Sequence, residues 1–299
     1  MESRRLLVGP GRLEEAREHF EQALAIYREV GNRHAEGVVL GNLGTMHHLQ
    51  GRLTDALAFD ERAVAIYREC GDRRNEGIVL GNLGLLRMDQ GRAQEARELF
   101  ERALATNREV GDRSSEGHVL GNLAHLHVGE GRVEGAWELN EQALAIHREV
   151  GNRRFEGIVL AARGGLLARR GRTDNAREHF ERSLLILREV RDRQQEGAVL
   201  GLLADLCAQT SAMPEARAHF AAGERLLREV GDKLELGMLL CARGLLEASS
   251  DDSATGRALL EEAENLAAEL GAGPESELGR AISKLSERLA ASASALHRR

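Results

Sequence analysis

The chain has 299 residues, 42% hydrophobic but only 3% aromatic, with three prolines and a formal net charge of −7. That is enough apolar material for a core, and the weight of Leu, Ala, Glu and Arg favours helices over a β-sandwich or barrel. Acids and bases are interleaved, so no global field draws nucleic acid or an anionic membrane. Cys70, Cys207 and Cys241 form no CxxC pair and read as small core residues of a reducing compartment. No apolar run approaches the roughly 18 residues of a membrane span, and the opening MESRRLLVGPGR is too short in its apolar part for a signal peptide. These features place the protein in the cytoplasm.

The first predicted element is GRLEEAREHFEQALAIYREV, with Leu13, Ala16, Phe20, Ala23, Leu24, Tyr27 and Val30 at helical spacing. Gly31 stands where a left-handed residue ends a helix, and Asn32 is placed to cap the next one. That second helix runs from about Arg33 to Gln50 and is stopped by Gly51. The pattern then repeats every forty residues: GNRHAEGVVLGNLG at 31, GDRRNEGIVLGNLG at 71, GDRSSEGHVLGNLA at 111, GNRRFEGIVLAARG at 151, RDRQQEGAVLGLLA at 191 and GDKLELGMLLCARG at 231. Gly71, Gly111 and Gly151 are further stops, as are Gly91, Gly131 and Gly171, while Asp72, Asp112 and Asn152 are further caps. Each period thus holds two antiparallel helices joined by tight turns.

The pattern fades toward the C-terminus. Arg191 replaces a helix-ending glycine, TSAMPEA replaces the Gly-Arg turn, and DDSATGRALLEEAENLAAEL keeps only Gly256, Leu260 and Ala263 of the small and apolar positions. After Pro274, ESELGRAISKLSERLAASASAL can form one more amphipathic helix that covers the last apolar face. At the other end, Gly11 aligns with Gly51, so the chain opens on a second helix, and Met1 to Pro10 are a poor relic of its first. Two readings stay open: the sequence is a fragment of a longer signalling protein, or the face of Leu13, Phe20 and Leu24 meets another subunit, making a homodimer through this half repeat.

The LGNLG of residues 40–44, repeated at 80–84 and as LGNLA at 120–124, costs a helix roughly 2.5 kcal/mol in propensity. A phosphate loop would need its glycines ahead of a helix N-terminus, whereas these lie well inside a capped helix without a following Lys. No HExxH, GxSxG, Walker or CxxC element is present, so no enzyme, cofactor or metal centre is expected. His118 and His125 share a helix face without a carboxylate or thiol beside them. Glu98 with Arg102 and Glu178 with Arg182 are spaced as exposed i,i+4 pairs.

Leu43, Gly44, Ala56 and Ala63, with Leu83, Gly84, Ala96, Phe100 and Ala103 in the next row, resemble the signature of the tetratricopeptide repeat. The resemblance covers residues 11 to 270. The forty-residue period is similar to the long-repeat subclass of kinesin light chains and spindle-orientation adaptors. It implies an all-α, right-handed α-solenoid of about 14 helices in a single superhelix: an N-terminal half repeat at 1–30, six helix pairs at 31–270, and a capping helix and tail at 271–299. Gly44, Gly84 and Gly164 fall where the family's two helices pack closely, and His47 and His127 fall at an aromatic core position.

By the same register Val38, Ile78 and His118, Gly41, Gly81 and Gly121, Asn42, Asn82 and Asn122, and Thr45, Leu85 and His125 line the concave surface. A column of asparagines can donate to and accept from an extended peptide, or it can solvate the groove and bond to neighbouring helices. The expected function is a non-catalytic interaction scaffold for a partner peptide or helix. The alternatives are a peptide-sensing regulatory arm of a bacterial signalling protein and a self-assembling module. Ala162, Leu202 and Ala242 replace the asparagine in later rows, which confines any backbone grip to the first half.

Overall fold

The computed structural model describes residues 10–296 apart from 51, 251 and 275, and among these residues it contains fourteen helices and no strand. The chain forms two compact units, residues 1–150 and 151–299. The first holds α1 (Pro10–Glu29), α2 (Arg33–Leu49), α3 (Leu53–Cys70), α4 (Arg73–Asp89), α5 (Ala93–Glu109), α6 (Arg113–Gly129) and α7 (Val133–Glu149). The second holds α8 (Arg153–Arg169), α9 (Thr173–Glu189), α10 (Arg193–Gln209), α11 (Met213–Val230), α12 (Lys233–Ser249), α13 (Ser253–Leu270) and α14 (Glu277–Leu296). Within each unit the helices pack as antiparallel pairs, α2 with α3, α4 with α5, α6 with α7, then α8 with α9, α10 with α11 and α12 with α13.

Side-chain caps start the first helices and left-handed residues end most of the helices. The Asn32 carboxamide oxygen and the Asp72 carboxylate each accept from a backbone N–H three residues on, at 3.1 Å, and Asp112, Asn152, Asp192 and Asp232 do so at 3.0–3.4 Å. Gly31, Gly71, Gly91, Gly111, Gly131, Gly151 and Gly171 all have φ between 67° and 74°. Gly51 lies outside the described residues. Where row five lacks its glycines the backbone keeps the same turn, and Arg191 (φ 57°) and Ser211 (φ 62°) carry a Cβ into left-handed conformation. Such a residue costs about 1 kcal/mol relative to glycine, so Arg191→Gly and Ser211→Gly are each expected to stabilise the protein by about that amount, read as a higher urea midpoint at unchanged m-value.

Small residues on the first helix of a pair receive large ones from the second. A Cβ added to Gly84 would lie 2.5 Å from Phe100 Cε1, and one added to Gly164 would lie 2.7 Å from Phe180 Cε1. Gly44 faces a different group, the buried carboxyl of Asp60, 2.1 Å from such a Cβ. Burial pushes Asp60 up to about 7, against a smaller pull from His48. In the last pair α14 takes over this packing. Leu285 comes within 2.6 Å of a Cβ on Gly244 and Leu278 within 2.9 Å of one on Gly237, where earlier pairs use their own second helix.

Three sequence expectations are corrected. Leu24 is buried in the core against the following pair rather than exposed, because it points toward α2 and α3. Val30 lies beyond the end of α1 and is 66% exposed, and the Leu13 side chain is outside the described residues, as are Met1 to Gly9. The expected pairs Glu98–Arg102 and Glu178–Arg182 do not form: Glu98 accepts from Gln94 Nε2 at 2.9 Å, and apart from i,i+4 pairs such as Arg17–Glu21 the close ion pairs run mostly between helices. Glu36, buried at the start of α2, accepts from Arg28 Nε at 2.9 Å and Arg33 Nη1 at 2.6 Å, while Arg33 also reaches Glu69 at 2.5 Å. Burial would raise the Glu36 carboxyl, but these hydrogen bonds outweigh it and hold it below its usual range. The rung recurs as Arg68, Arg73, Glu76 and Glu109, and as Arg108, Arg113, Glu116 and Glu149.

Candidate functional site

On the first helices α2, α4 and α6 the predicted residues stand at i, i+4 and i+7, as Val38, Asn42 and Thr45, then Ile78, Asn82 and Leu85, then His118, Asn122 and His125, and of these His118 turns toward the second helix α7. Asn42, Thr45 and His125 are exposed, while Asn82 and Asn122 are half-buried. Val38 and Ile78 are 39% and 40% exposed, so both present apolar surface on these helices. Leu85 is half-buried and packs on the core. The carboxamides of Asn42, Asn82 and Asn122 have no hydrogen-bond partner among the described residues, so the option that they bond to neighbouring helices does not occur. The Thr45 hydroxyl donates to the Gly41 carbonyl oxygen at 3.1 Å.

The neighbouring glycines join successive first helices. A Cβ on Gly41 would lie 3.7 Å from Val79 Cγ2, and one on Gly81 3.6 Å from Val119 Cγ2; Gly121 has no neighbour within 4 Å. These are ordinary contacts, so packing does not demand glycine at these places, unlike Gly44 and Gly84. Gly81 is buried by this contact, while Gly41 and Gly121 are half-buried. Sequence reasoning missed a polar link on the same helices, His48 Nε2 to Asp89 Oδ2 at 2.7 Å. Its signal was the placement of a histidine and an acid one period and one residue apart.

The histidines divide by environment. His47 is buried and stacks on Phe59 with centroids 5.1 Å apart, and burial lowers its pKa. His127 lies 3.2 Å from Arg97 Nη1, and burial with the Arg97 charge lowers its pKa too. His118 leans toward α7, 5.2 Å from the buried ring of His147. Burial, with the His118 charge second, pushes His147 down to about 4. His125 is the open one of the set.

In the second unit the open positions change character. Ala162 and Leu202 are exposed and no carboxamide stands there. Asp205, at the place of Thr45, is pushed up to about 6 by burial, with Lys284 pulling the other way. Cys207, Glu215 and His219 bring a thiol, a carboxylate and an imidazole within 4.8 Å of one another. Arg177 already bridges two of them, at 2.7 Å from Glu215 Oε1 and 3.3 Å from Cys207 Sγ, and its charge opposes a further cation. The same arginine position bonds Glu130 as Arg97 and Glu247 as Arg217, which marks it as a structural contact of the repeat.

No described helix is long and apolar enough to cross a membrane. No curated protein sequence matches the chain. Among solved structures it is similar to the apo form of RapI, with 13% identity over 89% of this chain and 98% of that one and a TM-score of 0.68. It is similar to BtubC from P. vanneervenii, with 18% identity over 74% of this chain and 92% of that one and a TM-score of 0.61. It is also similar to NprR, solved in complex with its cognate peptide NprX, with 18% identity over 90% of this chain and 81% of that one and a TM-score of 0.61. At these identities the likeness speaks for the fold. The sequence profile of the tetratricopeptide repeat matches residues 10–69, 75–149 and 157–229. With most of the chain matched and the helix pairs, small-residue contacts and forty-residue period in place, the protein belongs to the tetratricopeptide repeat family.

Proposed function

We propose that the protein is a non-catalytic interaction scaffold that holds an extended peptide segment along α2, α4 and α6. The observation that carries this reading is the register of Asn42, Asn82 and Asn122: three unpartnered carboxamides at one place on successive helices, kept at a cost in helix propensity. Each can donate to a peptide carbonyl and accept from a peptide N–H, which grips main chain whatever its sequence. Val38, Ile78 and Leu85 offer apolar contact, with Thr45, His118 and His125 beside them, and Gly41, Gly81 and Gly121 add no side chain in the way. The partner is therefore an uncharged or weakly charged peptide, and neither nucleic acid nor a membrane is its ligand. The peptide complex of NprR supports this use of the fold.

The triple variant with Asn42, Asn82 and Asn122 replaced by alanine tests the grip on an array of uncharged peptides. Binding is expected to fall roughly 100-fold, about 1 kcal/mol for each of the three carboxamides. Stability should rise by about 1.5 kcal/mol, because alanine is the better helix former by about 0.5 kcal/mol at each place. Opposite signs in binding and stability separate a ligand contact from a structural role. An array profile that survives the triple substitution removes the proposed grip.

A further inference from the structure

On α1 lies a second unfilled surface, independent of the open face of the first helices. In the complete pairs the second helix buries five positions against its partner: Ala96, Phe100, Ala103, Thr106 and Asn107 in α5, or Ala176, Phe180, Ser183, Ile186 and Leu187 in α9. The same positions in α1 are Ala16, Phe20, Ala23, Ile26 and Tyr27, and none of them is fully buried. Ile26 is 56% exposed, although Ile66, Ile146 and Ile186 in the same place are 5% exposed or less. Among the described residues, α1 is a second helix without a first.

The complete pairs define what fits there. The first helix begins with a cation that reaches an acid near the end of the second: Arg33 to Glu69 at 2.5 Å, Arg73 to Glu109 at 2.6 Å, Arg113 to Glu149 at 2.8 Å, Arg153 to Glu189 at 2.9 Å and Lys233 to Glu269 at 2.7 Å. The matching acid on α1 is Glu29, which is exposed and has no cation beside it among the described residues. Four residues after the cation stands glycine. A Cβ on Gly37 would lie 3.0 Å from Tyr67 and 3.2 Å from Ile66, and α1 repeats that isoleucine and tyrosine as Ile26 and Tyr27. Eleven residues after the cation stands glycine or alanine, because an aromatic such as Phe100 or Phe180 lies opposite, and α1 has Phe20 there.

We propose that α1 is a docking surface for a partner helix carrying a basic residue, a glycine four positions later and a glycine or alanine eleven positions later. The cation pairs with Glu29, the glycine lies on Ile26 and Tyr27, and the second small residue lies on Phe20. Charge and shape both favour such a helix over a second copy of α1, which has no glycine within the face and would set Glu29 near no cation of this register.

The test is the full chain with an added copy of residues 31–50 joined ahead of Met1 through a glycine–serine linker. Hydrogen exchange of the α1 amides is expected to slow by roughly tenfold or more, with a higher Tm. Ile26→Glu, a change at an exposed position that leaves the unfused chain folded, should remove both effects. Glu29→Lys should weaken them, and Arg33→Glu in the added copy should restore them. Unchanged exchange in α1, or protection that survives Ile26→Glu, overturns the proposal. A dimer of the unfused chain in sedimentation, dissolved by Ile26→Glu, also overturns it by giving the surface to a second copy.

Discussion

Asp60→Asn is expected to make the protein more stable than the parent by about 3 to 4 kcal/mol at pH 8, and by progressively less as the pH falls toward 4. Asp60 is 1% exposed, its Oδ1 has no hydrogen-bond partner, and it faces Gly44 in the position that Phe100 and Phe180 fill elsewhere. Burial raises the folded carboxyl from an ordinary 3.8 to about 7. The unfolded chain therefore releases this proton first as pH rises. Folding is penalised progressively between about pH 4 and pH 7, by roughly 1.4 kcal/mol per pH unit, and the loss is constant above. An asparagine does not titrate, and Asn140 already sits buried at the equivalent place in α7. Urea unfolding from pH 5 to pH 8.5 reads the effect. Parallel pH profiles for the parent and Asp60→Asn would show that His48 or another neighbour holds the Asp60 charge in the folded state.

Leu285→Ala is expected to cost about 3 kcal/mol, in the range for a fully buried leucine truncated to alanine. Leu285 is fully covered and fills the space over Gly244 that α13 leaves empty, since Leu260 is only half-buried. Because each repeat touches mainly its neighbours, the loss should be local. Hydrogen exchange should speed up in α12, α13 and α14 while α2 to α7 keep their protection. A uniform loss across the chain would mean that α14 holds more than the last pair, and a cost below about 1 kcal/mol would mean that α13 closes over the gap by itself.

Helix number, pairing and most boundaries were legible in the sequence because they depend on local chemistry. Glycines with positive φ, Asn and Asp caps and an apolar stripe recur every forty residues, and their meaning does not change with context. The two glycines of LGNLG were separable in the sequence through the register of the resembled family, and the packing bears the difference out: Gly44 and Gly84 lie opposite Asp60 and Phe100, while Gly41 and Gly81 make only ordinary contacts. The candidate face was readable only as a register. Its solvent exposure at Val38 and Ile78, and the free carboxamides of the three asparagines, depend on what neighbouring helices cover.

Other features were hidden because they join residues far apart in the chain. The rung of Arg28, Arg33, Glu36 and Glu69 spans three helices, so the local i,i+4 rule selected the wrong partners. Asp60 stands in a charged stretch of the sequence, and it is the packing of α3 on α2 that turns it inward. The sequence by itself determined an all-α chain of helix pairs and the family to which it belongs, since capping, helix propensity and periodicity act over a few residues. Only the tertiary structure decided which charges are buried together, that α14 supplies the leucines that α13 lacks, and that Ile26 and Glu29 stand uncovered, because burial is a property of what packs against a residue.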